Sequence, residues 1–498
     1  MSFQAWSLAM VCSDGEMEKV LTGTLTRDSC QVEGSRAKNP SANGRGGRNG
    51  RSGMLQKISK RRFDALAGYS RTPRIMALTE ELEWYATADE RVLGIVLRDR
   101  IDDDFSWVAM GRDETLRFRA VKVRASHPSQ DEARQALFKT LEELAQAPDE
   151  EFYQSDTTAK PVDFFKLMAP EEKLHPSFKL MSRAERYLPA RDLITSLMRY
   201  HKDLDGNFVQ QFQTTAFDAR LWELYLFATF VELGFARHDH ANVPDFVLGS
   251  NYGPMAIEAT TVNPPDGFSP SLPKEAKDRD DYISNYMPIK LGRAMKAKLA
   301  KKYWEAPHMK GVPFVLAVQD FSFRYSMTMI DAITVDYVYG YRHVIRNGLP
   351  QVEKIGEFKY KTLSEPAGFF DLPGAENVSA VLINPLGTLP KFNRMGYLAG
   401  FGPRDIRMIR SGIRRNLSFT EPLVPFVQDV TDSNYKESWI EGAVVLHNRR
   451  AKVELAPGLI PGALHKRADE NGDLESIEPD FHPIMSRTAI NAAEAEEG

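Results

Sequence analysis

The chain has 498 residues, a formal net charge of -4 and 27% charged residues. That length predicts several domains at roughly 150 residues each, and the balanced charge excludes a globally basic protein, so any contact with phosphate has to come from local patches. The two cysteines, Cys12 and Cys30, exclude a disulfide framework or a thiolate metal site, and no apolar run approaches the ~20 residues that cross a bilayer; a cytoplasmic protein without a membrane segment is expected.

Residues 1–53 read as a disordered tail and linker, because 34–53 are mostly Gly, Arg, Asn and Ser with little to bury. Gly44, Gly46 and Gly50 imitate a nucleotide fingerprint only superficially, since no strand precedes them, and Met54 is an alternative natural start. Residues 54–150 predict a small β-rich domain. Its strands are expected at Leu82–Tyr85, Val92–Arg98, Phe105–Met110 and Leu116–Val123, followed by a helix at Glu132–Ala147. Asp102, Asp103 and Asp104 fit a solvated hairpin turn. This meander is the expected docking surface for a protein partner or a second copy.

Residues 151–210 predict a helical connector punctuated by Pro161, Pro170 and Pro176. Asp203 to Asn207 has the opening of a calcium loop, but Phe208 takes the place of the required glycine and Thr214 that of the closing glutamate. An α/β domain is expected over 211–450. Leu221, Leu224, Ala228, Val231 and Phe235 recur at helical spacing, so Glu223 rides on a nearly buried helix. His238 and His240 alternate but lack a third ligand. Pro244-Asp245 opens a short strand, residues 249–253 turn, and Met255–Val262 forms a second strand on which Glu258 and Thr260 share a face. Pairing of the two strands brings Asp245 and Glu258 together, and oxygen ligands of that kind suit a hard divalent cation. Carboxylates in an apolar setting are costly without a neutralising partner.

Pro288–Tyr303 is a helical pattern with Lys290, Arg293, Lys296, Lys298, Lys301 and Lys302 and no acid, and a strand follows at Pro313–Gln319. Further on, a helix is expected near Thr328–Arg346 and a strand at Asn377–Ile383. In RDIRMIRSGIRR, Arg404, Arg407, Arg410 and Arg414 recur at helical spacing, a stripe that suits phosphate oxygens or a salt-bridged helix face equally. A strand at Trp439–His447 closes the expected domain, and 451–498 reads as an extended tail.

The order of helix with Glu223, Pro244-Asp245 at a strand start and Glu258-Ala259-Thr260 in the next strand resembles the PD-(D/E)XK nuclease superfamily. The resemblance covers the middle third of the chain. It implies a restriction-endonuclease-like mixed sheet flanked by helices and cleavage of DNA or RNA with Mg²⁺ or Mn²⁺. Asp245, Glu258, the Ala259 carbonyl and Glu223 would then be the metal ligands. The family's lysine is replaced by Thr260, so Lys290 or Lys298 would supply the positive charge, with Lys296 and the arginine stripe holding the backbone. A catalytically inactive binder of nucleic acid or protein is the alternative.

Overall fold

The computed structural model describes residues 55–201, 206–238, 244–264, 272–323, 325–347, 349–416 and 422–492. The N-terminal tail, most of the calcium-like loop, His240 and the last six residues lie outside that set. Two compact units, Met1–Asp163 and Phe164–Gly498, divide the chain.

The N-terminal unit is an antiparallel sheet in sequential order, from β1 (Leu55–Lys57) through β2 (Thr79–Thr87), β3 (Val92–Asp99) and β4 (Phe105–Arg112) to β5 (Phe118–His127). Two short helices, α1 (Lys60–Ala67) and α2 (Pro73–Leu78), precede β2 and had no counterpart in the sequence reading. Helix α3 (Gln130–Gln146) starts where the Ser129 side chain accepts the Glu132 N–H. It buries Ala133, Leu137, Leu141 and Leu144, one helical stripe, in a core shared with Val96, Trp107 and Ala109. The triple aspartate lies in the β3–β4 connection, as its turn chemistry predicts.

The C-terminal unit is mixed α/β. Helices α4 (Pro176–Arg183), α5 (Leu188–Tyr200) and α6 (Phe208–Gln213) open it. These residues were expected as a connector, yet they are built into the unit: the α5 backbone donates to Asn393 at 3.1 Å. Then come α7 (Phe217–Glu232), β6 (Ala236–His238), β7 (Phe246–Ser250), β8 (Gly253–Val262), α8 (Ala276–Asp281), α9 (Met287–Leu299) and β9 (Phe314–Asp320). Strands β6, β7 and β8 run antiparallel, and β9 lies parallel to β8, reached through the α9 crossover. Helix α9 turns Leu291, Met295 and Leu299 toward the core, where they meet Leu316 and Val318 of β9. Arg293 is left exposed, while Lys290, Lys296 and Lys298 are half-buried at the flanks of that face.

Beyond β9 the chain departs from several expectations. The predicted helix to Arg346 stops early: α10 spans Ile330–Tyr339, and Gly340, at φ 73°, takes the left-handed conformation that ends it. Two hairpins follow, β10 (Tyr341–Arg346) with β11 (Leu349–Lys354) and β12 (Glu357–Tyr360) with β13 (Leu363–Pro366). Strand β14 (Ala380–Ile383) is parallel to β9, and α11 (Leu389–Leu398) follows.

The arginine stripe is a strand. Segment β15 (Ile406–Arg415) is the centre of a three-stranded antiparallel sheet between β16 (Leu423–Asp429) and β20 (Pro483–Ala492). Its three isoleucines favour extended backbone. At Gly412 a Cβ would meet the Met485 carbonyl oxygen at 2.1 Å, so the glycine admits β20. The expected tail is also corrected. Strands β17 (Val444–His447), β18 (Leu464–Ala468) and β19 (Leu474–Ile477) complete an eight-stranded sheet in the order β19-β18-β17-β14-β9-β8-β7-β6. Polar composition hid β18: His465 is buried because it hydrogen-bonds His447 at 2.9 Å, and Lys466 because it pairs with Asp331 at 2.7 Å. Among the described residues no helix is long and apolar enough to cross a membrane.

Candidate functional site

Asp245 immediately precedes β7 and Glu258 sits mid-β8, and the β7–β8 pairing sets them side by side. Phe246 lies opposite Ile257, so the next residue on each strand falls just beyond the paired ladder. There the two acids exchange contacts: the Asp245 N–H donates to Glu258 Oε2 at 3.2 Å, and the Ala259 N–H donates to Asp245 Oδ2 at 2.8 Å. The N–H and C=O of one strand residue point to the same neighbour. The Ala259 carbonyl is therefore on the Asp245 side.

Glu258 is 1% exposed, and its other oxygen is claimed from the far side of the crossover. Lys298, near the end of α9, donates to Glu258 Oε1 at 2.6 Å, and the Tyr303 hydroxyl donates to the same atom at 3.1 Å. Burial raises the Glu258 carboxyl above its usual range and the Asp245 charge raises it further, with Lys298 opposing both. Burial likewise raises the Tyr303 hydroxyl, with Glu258 next in effect.

The structure separates the two candidate lysines. They are eight residues apart on one helix, about 12 Å along its axis, so both cannot serve one carboxylate. Lys298 meets Glu258, whereas the Lys290 charge acts on the buried Asp320 at the end of β9.

Glu223 is close enough to Asp245 and Lys298 to feel both charges, but it does not join them as a third free ligand. Arg220, one helical turn earlier, donates to both Glu223 oxygens at 2.9 and 2.8 Å. Burial pushes its carboxyl up to about 7, with Arg220 opposing and Asp245 assisting. Among the described residues no group of three or more His, Cys, Asp or Glu side chains is set to hold a metal ion. The convergence is of two carboxylates and one lysine, with Glu223 held alongside by an arginine.

The expected phosphate contacts fare differently. Lys296 is committed to the buried Glu365 at 2.6 Å. Arg410 is wholly buried and pairs with Glu441 at 2.6 Å, so it is not a surface contact. Arg407 is exposed but pairs with Asp429 at 2.9 Å, Arg404 lies over the Tyr397 ring, and Arg414 over the Phe481 ring. No continuous stripe remains: Arg404 precedes β15, alternation puts Arg407 and Arg410 on opposite faces, and Arg410 is buried. Two residues of the site escaped the sequence reading. Arg220 was legible from its spacing to Glu223; nothing in the sequence marks Tyr303.

Asp245, Glu258 and the Ala259 carbonyl offer hard oxygen donors at one point, and Mg²⁺ is usually held by one or two carboxylates together with water and phosphate. By donor chemistry and the mutual repulsion of the acids, these residues fit such an ion. Comparison of the chain with protein-family models, with curated proteins and with solved structures finds no match.

Proposed function

We propose that the C-terminal unit is a metal-dependent phosphodiester hydrolase with a restriction-endonuclease-like core, acting on nucleic acid. The observation that carries the proposal is the Lys298 ammonium at 2.6 Å from Glu258, whose second oxygen is bound by the Asp245 backbone. A positive charge thus reaches the acid pair from the neighbouring helix, where Thr260 cannot provide it. The order of helix, three antiparallel strands, crossover helix and parallel strand supports the same core.

In this reading Asp245, Glu258 and the Ala259 carbonyl hold Mg²⁺ or Mn²⁺, which when bound supplies a Lewis acid for the phosphate and an acidified water. Tyr303 fixes the orientation of the Glu258 carboxylate, Lys298 carries charge toward a phosphate oxygen, and Glu223 holds or releases a proton near neutral pH. Cleavage of plasmid, single-stranded DNA and RNA with Mg²⁺ or Mn²⁺ tests it, with Asp245→Ala and Glu258→Ala beside the wild type. Products should require metal and vanish in both variants. Metal-dependent cleavage surviving both substitutions removes the mechanism.

A second reading has its own observation. Glu258 Oε1 already accepts two hydrogen bonds, which uses its two lone pairs. A site satisfied in that way also suits a non-catalytic protein of the same core, and binding without cleavage would be its result.

A further inference from the structure

Between Pro288 and Pro313 the chain carries seven lysines and arginines against one acid, Glu305, in a protein whose net charge is -4. The structure accounts for four of these seven. Lys296 and Lys298 neutralise Glu365 and Glu258, Lys290 is half-buried toward Asp320, and Lys302 lies 3.7 Å from Glu305. Arg293, Lys301 and Lys310 are exposed, and no acid among the described residues pairs with them. They are spaced along the same crossover that delivers Lys298. Arg293 lies on α9 and Lys301 just past its end, where the Lys301 N–H still bonds the Lys298 carbonyl at 3.1 Å; Lys310 lies before β9.

Unpaired surface cations raise the local potential, and like charges concentrated in one short segment are relieved by a polyanion. Arg293 and Lys301 are about 12 Å apart along the axis. That matches three or four phosphates of one strand at about 3.4 Å of rise each.

We infer that Arg293, Lys301 and Lys310 form the track along which a nucleic-acid backbone is held while Lys298 faces the acid pair. The inference rests on the hydrolase reading and identifies the surface that serves it, in place of Lys296 and the β15 arginines. Recognition here is of phosphate charge, so it is independent of base sequence.

The test is binding of a fluorescent oligonucleotide, duplex and single-stranded, by the full chain in EDTA between about 50 and 200 mM salt. Wild type is compared with Arg293→Gln, Lys301→Gln, Lys310→Gln and their combination; Arg346→Gln, on the β10–β11 hairpin, controls for loss of one surface charge. Each track substitution should reduce the slope of log affinity against log salt by about 0.9 on duplex or about 0.7 on single strands. Arg346→Gln should leave it unchanged, and the thermal midpoints should coincide. A wild-type slope in the triple variant overturns the track, and if metal-dependent cleavage persists the hydrolase reading stands without it. Absence of wild-type binding to every oligonucleotide overturns the track, and the cleavage assay with metal then decides the hydrolase reading separately.

Discussion

Asp113 in the N-terminal unit and Glu258 in the C-terminal unit are both almost wholly removed from water, at 0% and 1% exposure, yet their surroundings treat the charge differently. Asp113 sits in the β4–β5 turn, where it accepts the Thr115 N–H and hydroxyl at 2.9 and 2.8 Å and the Arg117 N–H and Nε at 3.0 and 2.9 Å. Burial alone would raise its pKa, but these bonds outweigh it and hold the carboxyl below its ordinary value. Glu258 has one ammonium, one phenol and one backbone N–H, set against a second carboxylate, and its carboxyl is raised. The lesson is that burial does not decide the role of an acid. A carboxylate whose every lone pair is met by local donors closes a turn, whereas one placed beside another acid retains a demand for positive charge.

Glu437 extends the comparison. It is fully buried, held by Arg394 through both oxygens at 2.7 and 2.8 Å and by the Tyr435 hydroxyl at 2.7 Å. Burial opposes its ionisation, but Arg394, followed by Lys391 and Arg410, lowers its pKa well below the usual range. It belongs with Asp113 as a structural acid, in the unit that holds the candidate site.

The largest expected stability effect follows from that assignment. Glu437→Gln leaves the buried Arg394 guanidinium without its counter-ion and should cost about 3–5 kcal/mol in urea unfolding. A loss under 1 kcal/mol would break the division between structural and functional acids. Asp113→Asn should cost about 2 kcal/mol, less than a fully buried pair because Arg117 is partly exposed. The sign of its pH dependence is fixed by the lowered pKa. The contribution is complete above the ordinary value of 3.8 and is lost as pH falls through the lower folded value. Wild type and variant should therefore converge in acid.

Glu223→Gln sharpens the contrast, with the smallest change and the opposite sign. Its folded value of about 7 lies above the ordinary 4.5, so the wild type carries no ionisation penalty below about 4.5 and the full penalty above about 7. The variant should match wild type at pH 4 and exceed it at pH 8. The gain should be about 1 kcal/mol, because part of what is recovered by removing the charge is returned when Arg220 loses its partner. A variant less stable at pH 8 than at pH 4, relative to wild type, would remove Glu223 from the functional group.

Local patterns carried a large part of this molecule. Short runs rich in apolar and β-branched residues placed the strands of the N-terminal meander, and apolar residues at helical spacing placed α3, α7 and α9. The same local signals put Asp245 at a strand start, Glu258 mid-strand and Lys298 on the following helix. They failed where the period was ambiguous or the burial polar. Arginines three and four positions apart imitated a helix in β15, and β18 hid behind His465 and Lys466, whose burial depends on His447 and Asp331 from distant segments.

What remained for tertiary structure was the choice among equivalents. Lys290 and Lys298 are alike in sequence, and only the direction in which α9 crosses the sheet brings Lys298 into an ion pair with Glu258 while Lys290 makes none with either acid of the pair. Tyr303 acquires its role through the same crossing, and Glu223 is withheld from the pair by an arginine one turn away. Sequence determined which segments carry charge and how each is folded locally, since those depend on near neighbours. Which charges meet depends on distances between segments far apart in the chain, and packing of the sheet against its helices sets those distances.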